Sequence, residues 1–226
     1  MAFGLVFDCD GVLADTETLI ARATVKMFRD LYGIEMKPDA YAKYIGTGPI
    51  RYVEGPAADH CIALRSLEEA LEVRQNNFMD LLHSGEYIGF PGTNALIEAA
   101  AADPNWKLAI ATSSVRHKSE ESLKAAHVPY RTFDVYISGD MVTRQKPFPD
   151  IYLKAADALG LLPASCVAIE DSVAGVEAAM SAGMRCIAVT NTFPAHMLGH
   201  ADRVVDSVQR IELGELGRLV GLAASA

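Results

Sequence analysis

Positive charge is scarce in this chain: 20 lysines and arginines stand against 29 aspartates and glutamates over 226 residues, a formal net charge of −9. Nucleic acid and anionic membrane surfaces want a net basic face, so both are excluded as general partners, and an anionic substrate would have to be met by local positive charge. Long apolar runs are also missing. None approaches the ~20 residues that span a bilayer, and the opening "MAFGLVFDCD" has no basic start ahead of a long apolar segment. The four cysteines, Cys9, Cys61, Cys166 and Cys186, form no CxxC pair, and the histidines show no zinc-like spacing. Neither GxGxxG nor GxxxxGKS/T occurs, so dinucleotide and P-loop nucleotide binding gain no support. What these gaps leave is a soluble cytoplasmic protein with buried free thiols.

Half of the residues are hydrophobic, enough for a sizeable core. Five short apolar or β-branched runs read as strands: Phe3 to Phe7, Lys107 to Thr112, Val135 to Ser138, Val167 to Glu170 and Cys186 to Thr190. They are continuous rather than alternating, which suits a parallel sheet covered on both faces. Helix-like segments around Arg116 to Ala126, Asp150 to Leu159 and Ser172 to Ala182 have the length of βα crossovers. An α/β, Rossmann-like parallel sheet is therefore expected. The first crossover breaks the rhythm, because one helix cannot fill the gap between Phe7 and Lys107. Several helical patterns occur there, "LEEALEVRQNNFMDLL" (residues 67 to 82) among them, so a helical domain over residues 16–87 is expected inside a core formed by residues 1–15 and 88–226. The turn at Ala14 to Thr16 and "EYIGFPG" (residues 86 to 92) would be its hinges.

Ligands of open α/β sheets bind beyond the carboxyl ends of the strands. Read in order, those ends carry "DCD" after the first strand, "TSS" (residues 112 to 114) after the second, "GDMVTRQKP" (residues 139 to 147) after the third and "EDS" (residues 170 to 172) after the fourth. Singly, each would serve as a cap or a solvated turn; together they gather acids, hydroxyls and a lysine on one rim. Asp8 and Asp10, two residues apart, would face one side if the chain stays extended. With Glu170 and Asp171 they make a pocket whose repulsion a hard divalent cation relieves, and Mg²⁺ prefers a few carboxylates plus water and phosphate. A carboxylate that attacks phosphorus splits one hard transfer into two easier ones. The Lys146 ammonium, the Thr112 hydroxyl and backbone amides would offset the anionic repulsion, and the second carboxylate would shuttle the proton.

These four ordered segments resemble the motifs of the haloacid dehalogenase (HAD) superfamily: "DCDGVLADTE" (residues 8 to 17), "ATSS", "KPFPDIY" (residues 146 to 152) and "IEDSVAGVEAA" (residues 169 to 179). The resemblance covers nearly the whole chain. It implies the HAD fold with a helical cap inserted after the first strand, Asp8 as nucleophile and Mg²⁺ ligand, and Asp10 as general acid/base lending a backbone carbonyl to the metal. Thr112, Ser113 and Lys146 would hold the phosphoryl group, with Asp171 and Glu170 serving the metal site. The closest subgroup holds β-phosphoglucomutase and small sugar-phosphate and pentulose-bisphosphate phosphatases. Ile20 stands where many relatives carry a histidine used by the mutase, which makes hydrolysis of a small phosphorylated metabolite the leading reading and sugar-phosphate mutation the alternative. A phosphoryl-accepting signalling domain uses similar strand-end groups but needs no substrate-enclosing insertion. In the cap, "IGTGPIRYVEG" (residues 45 to 55) resembles the subgroup's specificity loop and Arg74, within "EVRQNNF", is placed like a cationic residue of the family's cap, so Thr47, Arg51 and Arg74 are the candidates for reading the rest of the substrate. A monomer or weak dimer is expected.

Overall fold

Apolar along its whole length and buried at every residue, Phe3–Phe7 (β1) has the pattern of a strand at the centre of a doubly covered sheet. The computed structural model describes residues 2–37, 41, 44 and 50–221. Five further strands follow: β2 (Trp106–Ala111), β3 (Val135–Ile137), β4 (Cys166–Glu170), β5 (Arg185–Val189) and β6 (Arg203–Val205). All pair in parallel, in the order β3-β2-β1-β4-β5-β6. The chain therefore winds one way from β1 and the other way from β4, and the crevice between these two strands is a topological switch point. Phe7 stands level with Ile110 on one side and Ile169 on the other. Asp8 and Glu170 thus leave the sheet at the same height.

Helices α1 (Thr16–Tyr32), α2 (Arg51–Asp59) and α3 (Leu67–Leu82) come between β1 and β2, followed by α4 (Thr93–Ala102), α5 (Arg116–Ala125), α6 (Asp150–Leu159), α7 (Val173–Ser181) and α8 (Leu213–Leu219). The chain divides into two compact units, residues 1–15 with 87–226, and residues 16–86. In the first, Ile151, Tyr152, Ala155, Ala156 and Leu159 of α6 pack against Val6, Ala109 and Ala168 of the sheet. Each large side chain among them stabilises the fold by about 1.5–3 kcal/mol on burial. In the second, Met27 and Phe28 of α1 share a core with Tyr41, Tyr44, Tyr52, Val53 and Ala70. Ser66 starts α3 by accepting a hydrogen bond from the Glu69 amide at 3.2 Å, and Glu68 and Glu69 sit at the positive end of the helix dipole.

Two sequence expectations need correction. The sixth strand, β6, is absent from the reading because "RVV" is too short to stand out as an apolar run; it becomes a strand by pairing with β5. Cys61 is exposed rather than buried, lying just past the end of α2, while Cys9, Cys166 and Cys186 are the buried free thiols expected. No helix among the described residues is long and apolar enough to cross a membrane.

Candidate active site

The rim begins with the turn that ends β1. The Asp8 amide donates to the Ile169 carbonyl at 3.0 Å, keeping Asp8 at strand spacing, and the Cys9 carbonyl then accepts from the Leu13 and Ala14 amides at 2.9 and 3.0 Å. Extended geometry ends at this bend. Gly11 carries the chain through it at φ +82°, and a Cβ there would lie 1.7 Å from Asp171 Oδ2; both features demand glycine. The Asp10 carboxylate stays close enough for its charge to act on Asp8, and its Oδ2 accepts from the Ser114 hydroxyl at 2.6 Å.

Lys146 enters from the loop before α6 and is almost wholly enclosed. Its ammonium donates to Asp8 Oδ1 at 2.6 Å, to Glu170 Oε1 at 2.6 Å and to the Ala111 carbonyl at 3.2 Å. Glu170 is fully buried, and both of its oxygens are engaged: Oε1 also accepts from the Tyr152 hydroxyl at 2.6 Å, and Oε2 from the Asp171 amide, the Ser172 amide and the Ser172 hydroxyl at 3.1, 3.3 and 3.0 Å. The Ser172 oxygen in turn caps α7 by accepting from the Gly175 amide at 3.0 Å. Glu170 is thus a fixed anion that orients the lysine.

Gly175 makes room for that anion, since a Cβ on it would lie 1.9 Å from Glu170 Oε1. Alanine is ordinarily better than glycine in a helix by about 1 kcal/mol. Here the collision should win, so Gly175→Ala is expected to destabilise the chain by about 1–3 kcal/mol. Denaturant melts check this, and a variant as stable as the parent would show that the carboxylate finds other room.

Asp8, Glu170 and Asp171, all buried, each place a carboxylate oxygen within 4.8 Å of the others. With all three carboxyls ionised, one ammonium would leave two negative charges. Burial pushes the Asp8 carboxyl up to about 7; Lys146 works against the rise, while Glu170 and Asp10 add to it. Burial, then Glu170 and Asp8, carry Asp171 well above the usual carboxylate range. Glu170 goes the other way: burial would raise it, but Lys146, helped by the Tyr152 hydroxyl and the Asp171 amide, holds it low. Burial likewise opposes the Lys146 charge, and Asp8 and Glu170 overcome it. A hard divalent cation would balance this donor set of oxygens and charge.

The other expected residues fall as follows. Thr112 is fully buried at the end of β2, its amide bonded to the Ile137 carbonyl at 3.0 Å and its Oγ1 accepting from the Ser114 amide at 3.1 Å. Ser113, beside it, is exposed. Arg51 and Arg74 belong to the helical unit. Arg51 is exposed at the start of α2, its guanidinium 5.8 Å from the Tyr44 ring centroid. Arg74, which its place on a helix would let face solvent, is buried instead; its guanidinium lies 6.0 Å from the Tyr52 ring centroid, and its Nε finds no hydrogen-bond partner. Thr47 lies outside the described residues. Sequence reasoning placed Ser114 on the rim as the third hydroxyl of "TSS" without a role, and it missed Tyr152, Asn191 and Thr192. Tyr152 has the spacing of an ordinary core aromatic on α6 and is one as well.

Residues 5–189 match the haloacid dehalogenase-like hydrolase family. The chain is 35% identical over 215 residues to the chloroplastic protein SUPPRESSOR OF QUENCHING 1 of Arabidopsis thaliana, using 94% of this chain but only 20% of that much longer protein. It is 35% identical over 192 residues to a phosphorylated carbohydrates phosphatase of Thermotoga maritima, covering 81% of this chain and 82% of the relative. Among solved structures, a CbbY variant from Rhodobacter sphaeroides in complex with xylulose-(1,5)bisphosphate superposes with a TM-score of 0.74 at 32% identity, over 93% of this chain and 96% of that one.

Proposed function

Given that the chain belongs to the haloacid dehalogenase-like hydrolase family, we propose that it hydrolyses a small sugar phosphate through an aspartyl-phosphate formed on Asp8, with Mg²⁺ as cofactor. That it is a phosphoric monoester hydrolase rests on the family match and on its likeness to a phosphatase over most of its length. The observation that carries the finer reading is the buried group of Asp8, Glu170 and Asp171 around a single ammonium at the switch point.

Asp8 attacks phosphorus, and the bond to the leaving oxygen breaks as Asp10 protonates that oxygen. Asp10 next takes a proton from water, which attacks phosphorus in turn and frees the Asp8 carboxylate together with inorganic phosphate. Ser114 keeps Asp10 aimed through its 2.6 Å hydrogen bond. Lys146 and the hydroxyls of Thr112 and Ser113 receive the phosphoryl oxygens, and Glu170 holds Lys146 in place. Bound by Asp8, Asp171 and the Asp10 carbonyl, Mg²⁺ would neutralise phosphoryl charge as a Lewis acid. Residues 16–86 act as a cap, in which Arg51, Arg74 and Thr47 judge the remainder of the substrate.

Hydrolysis is favoured over mutation by Ile20, which packs against the apolar core of the helical unit and offers no proton. Three buried free thiols favour a cytoplasmic setting. Phosphate release from a panel of phosphorylated sugars, with Mg²⁺ and with EDTA, tests the reading. Release that ignores EDTA would remove the metal, and isomer interconversion without release would replace the phosphatase by a mutase.

Mg²⁺ affinity should also depend on pH. Asp8 is raised to about 7 in the metal-free site, so below that pH a proton must leave before the carboxylate can ligate. The dissociation constant should therefore rise by about tenfold or more for each unit below pH 7, and Asp171, held well above the usual carboxylate range, should carry the dependence further up the scale. Calorimetric titrations at pH 6, 7 and 8 check this; a flat profile would separate Asp8 from metal binding.

A further inference from the structure

The loop after β5 carries none of the four motifs, yet it reaches both acidic turns. We propose that Thr192 and Asn191 are positioning residues that strap the Asp171 carboxylate and the Asp10–Gly11 turn into their cation-binding arrangement. The proposal rests on the Mg²⁺ reading of the acidic site.

The Thr192 hydroxyl donates to Asp171 Oδ2, and the Asn191 side-chain amide donates to the Gly11 carbonyl at 2.8 Å. The three loops are in close contact, for a Cβ on Gly11 would meet both Asp171 Oδ2 and, at 2.7 Å, Thr192 Oγ1. The strap itself is rigidly mounted. Thr190 donates to the Val205 carbonyl at 3.0 Å, and β5 is paired with β4 up to Glu170, level with Ala188. With one oxygen held by a hydroxyl, the Asp171 carboxylate loses free rotation about its Cβ–Cγ bond. With its carbonyl held, Gly11 cannot let the neighbouring Asp10 peptide turn. Groups that orient metal-binding side chains from behind typically contribute 10–100-fold in metal affinity, and this loop supplies two such contacts, to turns from two other strands.

Direct Mg²⁺ titration of the substrate-free full chain is the test, because it reads the site without turnover. Thr192→Val keeps the branched shape and deletes the hydroxyl; it should weaken Mg²⁺ by about 10–100-fold with an unchanged circular dichroism spectrum, and Thr192→Ser should restore the parent affinity. Asn191→Ala probes the other half of the strap and should also weaken binding, which covers the case in which Thr192→Val fails to fold. Parent-like Mg²⁺ affinity in folded Thr192→Val, or in Asn191→Ala, overturns the strap while leaving the metal reading standing. A parent chain that binds no Mg²⁺ overturns both.

Discussion

Asp8→Asn is expected to abolish phosphate release, lowering the rate at least about 10³-fold, or about 4 kcal/mol of barrier, while leaving the chain folded. An amide is too weak a nucleophile to form the acyl phosphate, and neither Asp10 nor Asp171 can replace it: the first is turned towards Ser114 and the second towards Thr192. Stability should move in the opposite sense. The folded carboxyl titrates at about 7 against 3.8 for the free group, so ionised Asp8 costs the metal-free fold stability progressively from about pH 4 to pH 7. Asparagine does not ionise, and its oxygen can still accept from Lys146. In EDTA at pH 8 the variant should melt at or above the parent temperature, with no such advantage at pH 4. Mg²⁺ should then raise the parent's melting temperature more than the variant's, since only a ligand that binds the folded state contributes. A variant that retains turnover would remove Asp8 as the nucleophile, and one that melts far below the parent in EDTA would show that the buried carboxylate was holding the fold together.

What could be read in advance divides along physical lines. The sheet was legible because β1, β4 and all of β2 but Lys107 are buried and so appear as nearly continuous apolar runs, and because parallel strands deliver their polar residues to one rim. An inserted unit was suggested by length, as no single crossover fills the gap from Phe7 to Lys107, and its helical character by patterns such as residues 67–82. What stayed hidden depends on tertiary contact. Gly175 looks like an unremarkable helix residue until the Glu170 carboxylate is seen to occupy the place of its missing Cβ. Tyr152 is apolar packing for α6 and a hydrogen-bond donor to Glu170 at once, and periodicity reports only the first role. Thr192 and Asn191 follow a strand whose end carries no charge, so no motif marks them. Asp8 and Asp10 could be placed by spacing, but neither Lys146 against the first nor Ser114 against the second shows in the sequence, because both partners arrive from distant loops.

Lys146→Met carries the second large effect, on stability as well as turnover. Methionine roughly fills the space of the lysine stem but leaves Asp8, Glu170 and Asp171 with no buried cation. Breaking a buried pair by removing one partner typically costs about 3–5 kcal/mol, because the remaining charge stays desolvated. The pH dependence identifies the cause. In the parent chain burial opposes the Glu170 charge, but Lys146, the Tyr152 hydroxyl and the Asp171 amide together lower the carboxyl, which stabilises the fold above the carboxyl's unfolded value and is lost as pH falls. Without the ammonium the largest opposition to burial is gone, and only the Tyr152 hydroxyl and the Asp171 amide still favour the charged form, so the Glu170 carboxyl rises and the stability that its charge contributes shrinks. The gap between variant and parent should be wide at pH 8 and narrow towards pH 4 when measured by denaturant unfolding in EDTA. Mg²⁺ should recover part of the stability by returning positive charge to the site. Turnover should stay at least about 10²-fold low even then, since the metal cannot also take the place of a donor aimed at the phosphoryl oxygens. A gap that does not change with pH would mean that Lys146 contributes only packing, and full recovery of activity by Mg²⁺ would reduce the lysine to a counter-ion.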